Sequence, residues 1–280
     1  MVRLFRRFFV EGTVVVALVA IGGAVVTATG SNWWWLGVPL AWLPVLGYFA
    51  YLLVARPSTH TRNLWPLYAV AVAGVALALP AGPVAVLIAL PGLGAILIYT
   101  YVYSRQHVPT AGIRVGEPLA DFPLQRTDGT ATTSGELSDR PHVIMFYRGN
   151  WCPFCLVQIR ELAEQYRELD RRGVGVALIS AQRAADTAKL ATKFDIPMRF
   201  YVDAEGAAAQ ALDLVQAGGT PAIYSVGTNG DTTVPTVVIT DARGTVLWVD
   251  SSDNHRIRPE PTAFLDVLDR AGIAARVGGA

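Results

Sequence analysis

His142-Val-Ile-Met-Phe-Tyr-Arg-Gly-Asn-Trp-Cys-Pro-Phe-Cys155 is the stretch on which the fold turns. Its first six residues, His142–Tyr147, form an apolar run of strand length, and Arg148-Gly-Asn-Trp151 has the composition of a turn. Beyond the turn, Leu156, Ile159, Ala163, Tyr166 and Leu169 recur at helical spacing until Gly173 stops the run, which predicts a helix to about Arg172. A buried strand that passes directly into an amphipathic helix is the building unit of an α/β sheet. Cys152 and Cys155, the two cysteines of the chain, stand at that junction.

The spacing predicts Cys152 at the exposed helix N-terminus, where unpaired N–H groups and the helix dipole favour a thiolate. Cys155 follows one turn in and behind it. Cys152 is therefore read as the attacking sulfur and Cys155 as the one that resolves the mixed disulfide. Arg148 supplies positive charge four residues before Cys152, and Pro153 suits the first helical turn, where its missing N–H is not needed. Three other readings compete. Half of a zinc site would need a second Cys or His pair at ligand spacing, which the sequence lacks. A structural disulfide gains little from so short a loop and does not persist where thiols are kept reduced. Two inert buried thiols are the third. No metal or cofactor is expected; the dithiol is itself the reactive group.

On either side the pattern continues. Val174–Ser180 reads as a buried strand, followed by a helix over 183–194, a strand at Arg199–Val202 and a helix over 206–215. Paired strands at 234–240 and 245–250, joined through a two-residue Arg243-Gly244 loop, precede a helix over 260–271. This α/β domain occupies residues 114–272, with a linker at 105–113 and a tail at 273–280. His142 and His255 read as structural or surface residues.

The N-terminal part has another solvent. Residues 1–110 hold six Arg and one Glu, against 17 basic and 21 acidic residues in the remainder, so the net charge of +1 averages two unlike halves. No charge falls between Glu11 and Arg56, or between Arg62 and Arg105. Each block, at ~1.5 Å per helical residue, would reach about twice the ~30 Å hydrocarbon core and should fold back as two spans. Breaks at Gly30-Ser31-Asn32 and Pro80-Ala-Gly-Pro83 predict four transmembrane helices near 12–29, 34–54, 64–80 and 83–103 within residues 1–104. Trp33, Trp34, Trp35 and Trp65 fall at span ends, where indoles prefer the headgroup layer, while Pro39, Pro44 and Pro91 lie inside spans.

The basic islands Arg3/Arg6/Arg7, Arg56/Arg62 and Arg105 onward then share one face. The positive-inside rule puts both termini and the α/β domain in the cytoplasm of a multi-pass plasma-membrane protein. A cleaved signal peptide at residues 1–30 is the competing account. The spans carry no ionisable side chain and no cysteine, so neither an ion path nor a transmembrane dithiol relay is expected. His60 and His107, single and without a partner at helical spacing, read as loop residues rather than haem ligands. A slightly acidic C-terminal part excludes a broad basic nucleic-acid surface.

Val115-Gly-Glu-Pro-Leu-Ala-Asp-Phe-Pro-Leu124, Phe146–Cys155, Ala177-Leu-Ile-Ser180, Ile196-Pro-Met-Arg-Phe-Tyr-Val-Asp203 and Val234-Pro-Thr236 together resemble the redoxin branch of the thioredoxin superfamily. More narrowly, they resemble the peroxiredoxin-like proteins related to alkyl hydroperoxide reductase. The resemblance covers about residues 114–272. It implies a thioredoxin-like fold with a central mixed sheet, a cis-proline at Pro235 facing the site, and a substrate strand pairing with the backbone of Val234. Trp151 and Pro153 complete the expected substrate-binding set. Typical peroxiredoxins have Thr or Ser three residues before the attacking cysteine and Pro seven before it, where this chain has Gly149 and Met145; they also carry an Arg at the place of Pro235. Arg148, Arg256 and Arg258 are candidates to replace that Arg. Thioredoxins have a buried Asp at the place of Phe146.

These departures favour a membrane-anchored thiol–disulfide oxidoreductase over a thiol peroxidase acting on hydroperoxides near the bilayer. A non-enzymatic redox sensor or adaptor is a third reading. The expected partners are a disulfide-bearing protein or a hydroperoxide, a thiol reductant and the lipid bilayer. A linker of this length, at ~3.3 Å per residue, would keep the domain within about 30 Å of the membrane.

Overall fold

The computed structural model describes residues 2–30, 32–108, 112–225 and 229–275. Ser31 of the first predicted turn, residues 109–111 of the predicted linker and residues 276–280 of the tail lie outside the described residues. The chain divides into two compact units, residues 1–105 with 221–226, and residues 106–220 with 227–280.

The first unit is helical. Helix α1 (Val2–Thr29) is followed by a 3-10 turn at Trp33–Leu36 and helix α2 (Gly37–Val54). Helix α3 (Trp65–Ala78) is prolonged by a 3-10 turn at Leu79–Ala81, and α4 (Pro83–Ile98) by a π-helical turn at Tyr99–Tyr103. Val2–Thr29, Trp33–Val54 and Pro83–Tyr103 are long and apolar enough to cross a membrane, whereas Trp65–Ala81 is apolar but shorter. The expected first span begins later than the observed helix, which takes in Arg3, Arg6 and Arg7. Nothing before Glu11 breaks a helix, and Arg and Leu are good helix formers.

Small residues set the packing of this unit. A Cβ on Gly74 of α3 would lie 2.3 Å from the backbone N of Ala41 in α2, and one on Gly37 would lie 2.4 Å from the N of Ala78. Helix backbones touch there, as membrane helices do when dispersion rather than hydrophobic expulsion holds them together. Trp42 donates its indole N–H to the Ile88 carbonyl of α4 at 2.9 Å. That carbonyl is released by no proline: Pro44 sits within α2 and Pro91 within α4.

The second unit is an α/β sheet domain. Strands β1 (Pro123–Arg126) and β2 (Ala131–Thr133) form a hairpin; then come β3 (His142–Phe146), α5 (Pro153–Glu164), α6 (Tyr166–Arg171), β4 (Gly175–Ser180), α7 (Ala184–Ala191), β5 (Arg199–Val202) and α8 (Ala207–Ala211). The pair β6 (Val215–Gln216) and β7 (Thr232–Thr233) stands apart, and β8 (Thr236–Thr240), β9 (Val246–Ser251) and α9 (Thr262–Arg270) complete the domain. The main sheet runs β2-β1-β5-β4-β3-β8-β9. Its centre, β3, β4 and β5, is parallel, and β8, β9 and the β1–β2 hairpin are antiparallel additions. All five residues of β3 and all six of β4 are buried, as strands covered on both faces require.

Several details differ from the sequence reading, among them the helix expected over 206–215, which is only Ala207–Ala211 because Val215 passes into β6. The single helix expected to Arg172 is broken at Gln165 into α5 and α6, although Gly173, at φ +69°, ends it as expected. The β8–β9 turn spans Asp241–Thr245 rather than two residues, because the Asp241 carboxylate accepts the N–H groups of Arg243 and Thr245, both at 2.8 Å. The start of the expected linker is part of the domain: Gln106 donates its backbone N–H to Asp253 O at 2.9 Å and its side-chain amide to Ser252 O at 2.6 Å, and His107 contacts Asp213 at 2.9 Å.

Gly94 of α4 has nothing within 4 Å of an added Cβ, unlike Gly74. Gly74→Ala and Gly94→Ala should share the gain in helix propensity, so the packing cost isolates itself in their difference, about 1–3 kcal/mol against Gly74→Ala. Thermal unfolding of the two variants in detergent measures it; equal stabilities would show that the close approach of α2 and α3 is not a packing constraint.

Candidate active site

The site is built where β3 ends. The Tyr147 N–H still donates to Ile179 O of β4 at 3.0 Å, and the chain then leaves the sheet through Arg148–Trp151. Gly149 adopts φ +150°, and a Cβ there would lie 2.7 Å from Trp151 Nε1. A threonine or serine at this place, as in typical peroxiredoxins, would be strained and would collide with the indole. The turn is riveted to the β4–α7 connection. Asn150 donates its N–H to Gln182 Oε1 at 2.8 Å and its side-chain amide to Asp186 O at 2.6 Å. Gln182 Nε2 lies within 3.0 Å of Tyr147 Oη, Asn150 Oδ1 and Thr187 Oγ1.

Cys152 is the N-cap of α5, extended at φ −91° and ψ 107°, with Pro153 in the first turn and Leu156 N–H closing that turn onto Cys152 O at 3.1 Å. Cys155 lies one turn in, as the spacing predicts. The structure corrects the rest of that expectation. Cys152 is 1% exposed and Cys155 fully buried, so neither is an exposed end, and the Cys152 sulfur accepts no hydrogen bond from the helix N-terminus. Its thiol instead lies within the electrostatic reach of the Cys155 thiol. Trp151 and Pro153 beside it are half-buried and form the part of the motif that solvent can reach.

The positive charge gathers on Cys155. Arg258, from the loop after β9, points Nη2 at the Cys155 sulfur at 3.7 Å, and the positive charge of Arg148 acts on the same sulfur. Burial opposes ionisation of Cys155, but the Cys152 S–H, Arg258 and Arg148 outweigh it and hold this thiol below its ordinary value. Burial and an ionised neighbour push Cys152 up. The cause is the coupling of two neighbouring thiols, which do not ionise together, with the arginine contact made on the inner one. The Arg148 guanidinium, 7% exposed, is stacked 4.7 Å over the Trp151 ring and donates to Gly219 O.

Pro235 and Val234 are buried, and two expected features of this segment differ in the structure. There is no cis peptide bond among the described residues, so Pro235 is trans, the preferred isomer for an X–Pro bond. The Val234 N–H is already spent on Leu214 O at 2.7 Å, within the β6–β7 extension, and is not free to pair with a substrate strand. His142 is buried with Nδ1 2.8 Å from Arg140 O, and His255 packs edge-on to Phe154 at 6.0 Å. Asp203 caps α8, accepting the N–H groups of Ala208 and Ala209 at 3.0 Å, a structural use of the Tyr-Val-Asp motif.

Sequence reasoning missed Gln182 and could not assign Arg258. Gln182 stands in a polar run with no pattern of its own. Arg256 and Arg258, 1% and 5% exposed, offered one signal, a pair of arginines in a loop between two expected elements, but nothing in the sequence tells a buried guanidinium from a solvated one.

The AhpC/TSA family model matches residues 115–249. No curated protein matches the chain. Among solved structures, peroxidoxin BcpB from Mycobacterium tuberculosis is similar over 56% of this chain and 97% of its own, at 23% identity and a TM-score of 0.47. A thiol peroxidase from Chromobacterium violaceum is similar over 59% and 91%, at 18% identity and 0.46. A peroxiredoxin 6 mutant of Arenicola marina is similar over 57% and 74%, at 18% identity and 0.49. The match and the mixed sheet with its strand-turn-helix dithiol identify residues 115–249 as a thioredoxin-like redoxin domain of the AhpC/TSA family, carried on a chain whose N-terminal region is a set of apolar helices.

Proposed function

We propose that this chain is a membrane-anchored thiol oxidoreductase whose Cys152–Cys155 pair cycles between dithiol and disulfide. The observation that carries the reading is the pair itself: two free thiols one helical turn apart at a strand-to-helix turn, with an arginine on the inner sulfur. In thiol–disulfide exchange, Cys152 gives its proton to the neighbouring Cys155 thiolate and attacks the substrate disulfide, breaking its S–S bond and releasing the first substrate sulfur as a thiolate. Cys155 then closes on Cys152, and the proton leaves with the product thiol. No separate base is needed, which answers the absence of an Asp at Phe146. Arg148 orients Trp151 and adds positive charge beside both sulfurs, while Trp151 and Pro153 offer the surface a substrate would touch. The apolar helices hold the domain at the bilayer, on its cytoplasmic face by the charge pattern, and so concentrate it towards membrane-proximal substrates.

A second reading, a peroxidase for small or lipid hydroperoxides, is favoured by the burial of both sulfurs, since two oxygens reach a buried thiolate more readily than another protein's disulfide does. The thiolate would become a sulfenate, releasing an alcohol, and condense with the other thiol to the disulfide with loss of water.

Cys152→Ser should reduce turnover of the full chain to background with a protein disulfide or a hydroperoxide, whichever is the substrate, in side-by-side assays with a dithiol donor. Turnover that survives in this variant would remove the dithiol cycle. Gly149→Ala should cost about 1–3 kcal/mol of stability through strain at φ +150° and displacement of Trp151, and lower turnover with it. Thermal unfolding and steady-state rates test this together, and an unperturbed variant would mean that the turn tolerates a side chain.

A further inference from the structure

We infer that Arg258 is the counter-charge that the reduced dithiol supplies with a partner, so that oxidation leaves a buried guanidinium unpaired, favours the reduced form and loosens the loop Ser252–Pro261. The inference rests on the dithiol reading above and adds to it a redox-sensing element outside the motif.

Arg258 is 5% exposed. Its Nη2 reaches Cys155 Sγ at 3.7 Å, its Nη1 turns back to Ile257 O at 2.7 Å, and its Nε has no hydrogen-bond partner among the described residues. An isolated buried cation costs several kcal/mol, and a fold keeps one where it finds an opposite charge. The groups that face the thiolate are Cys152 on α5, Tyr147 and Arg148 on the turn after β3, and Arg258. Asp250 of β9 lies in the field of Arg258, but among the described residues no ion pair or hydrogen bond joins the two side chains. Arg148 is committed to Gly219 O and the Trp151 face. The charge that answers Arg258 is therefore the Cys155 sulfur.

Oxidation removes it. With glutathione disulfide as oxidant, one thiolate and one thiol of the protein give the Cys152–Cys155 disulfide, one glutathione thiol and one glutathione thiolate. Two electrons pass to glutathione, and both the proton and the negative charge leave with it. Arg258 then faces a neutral sulfur. The loop that carries it holds itself by local turns, Asn254 Oδ1 accepting Arg256 N–H at 3.0 Å and Asn254 O accepting Ile257 N–H, and is pinned from outside by Gln106. It is the element able to take the guanidinium to water.

The test equilibrates the full chain in detergent with glutathione redox buffers. Arg258→Met should shift the equilibrium at least about tenfold towards the disulfide, which is about 30 mV more reducing, and raise the pH at which thiolate absorbance appears. Arg258→Lys should recover most of both. In the wild type, trypsin should cut after Arg256 faster in the disulfide form than in the dithiol. Unchanged equilibrium and titration in Arg258→Met would overturn the inference while leaving the dithiol cycle intact; a wild type that forms no disulfide with glutathione would overturn the cycle itself. If Arg258→Met does not fold, the single-cysteine variants decide: a low-pH thiolate retained in Cys152→Ser and lost in Cys155→Ser supports the pairing, and the reverse overturns it.

Discussion

A thiolate sealed from water has to be met by positive charge, and much of the redoxin domain can be understood from how that charge is delivered. The helix N-terminus offers partial charges along one direction only, and the Cys152 sulfur does not take them. The charge comes instead from Arg148 in the turn and from Arg258 some hundred residues later in the chain. Both must be held inside the protein at the same time, which requires β3, β9 and the loop after β9 to be fixed relative to one another. The antiparallel ladder of β3, β8 and β9 does this.

The same constraint explains why the turn is built as it is. Gly149 at φ +150° lets the chain reverse tightly enough for Trp151 to lie under the Arg148 guanidinium. Asn150 and Gln182 satisfy the polar groups that the turn would otherwise leave unpaired beside a buried site. A dithiol alone does not define such a centre; Arg148 and Arg258, which act on the inner sulfur, both lie outside its four residues.

How far the sequence reveals this follows from the range of each interaction. The β3-turn-α5 unit, the two buried central strands and the helix stop at Gly173 are written in local periodicity and turn composition, and the observed elements follow it closely. The short strands β1, β2, β6 and β7 carry too few residues for a period to emerge, and they exist because neighbours pair with them. Of the candidate site residues, the cysteines, Arg148, Trp151 and Pro153 lie together because they are adjacent in sequence. Arg258 and Gln182 join them only through the sheet, and the N–H of Val234 is taken by Leu214, which precedes β6. In the helical unit, uncharged length predicted membrane-crossing helices, but the contact of Gly74 with Ala41 depends on which faces meet.

Gln106 follows directly on the last residue of the helical unit, and it is the residue whose two hydrogen bonds hold Ser252 and Asp253. The working border of the domain is thus nearer to the helical unit than the family match at residue 115 suggests. A domain released by cutting at that match would keep its sheet, its turn and both cysteines, and would lose the clasp on the strand-to-arginine loop. The residue that leads into the domain is also a fastening of the loop that carries Arg258.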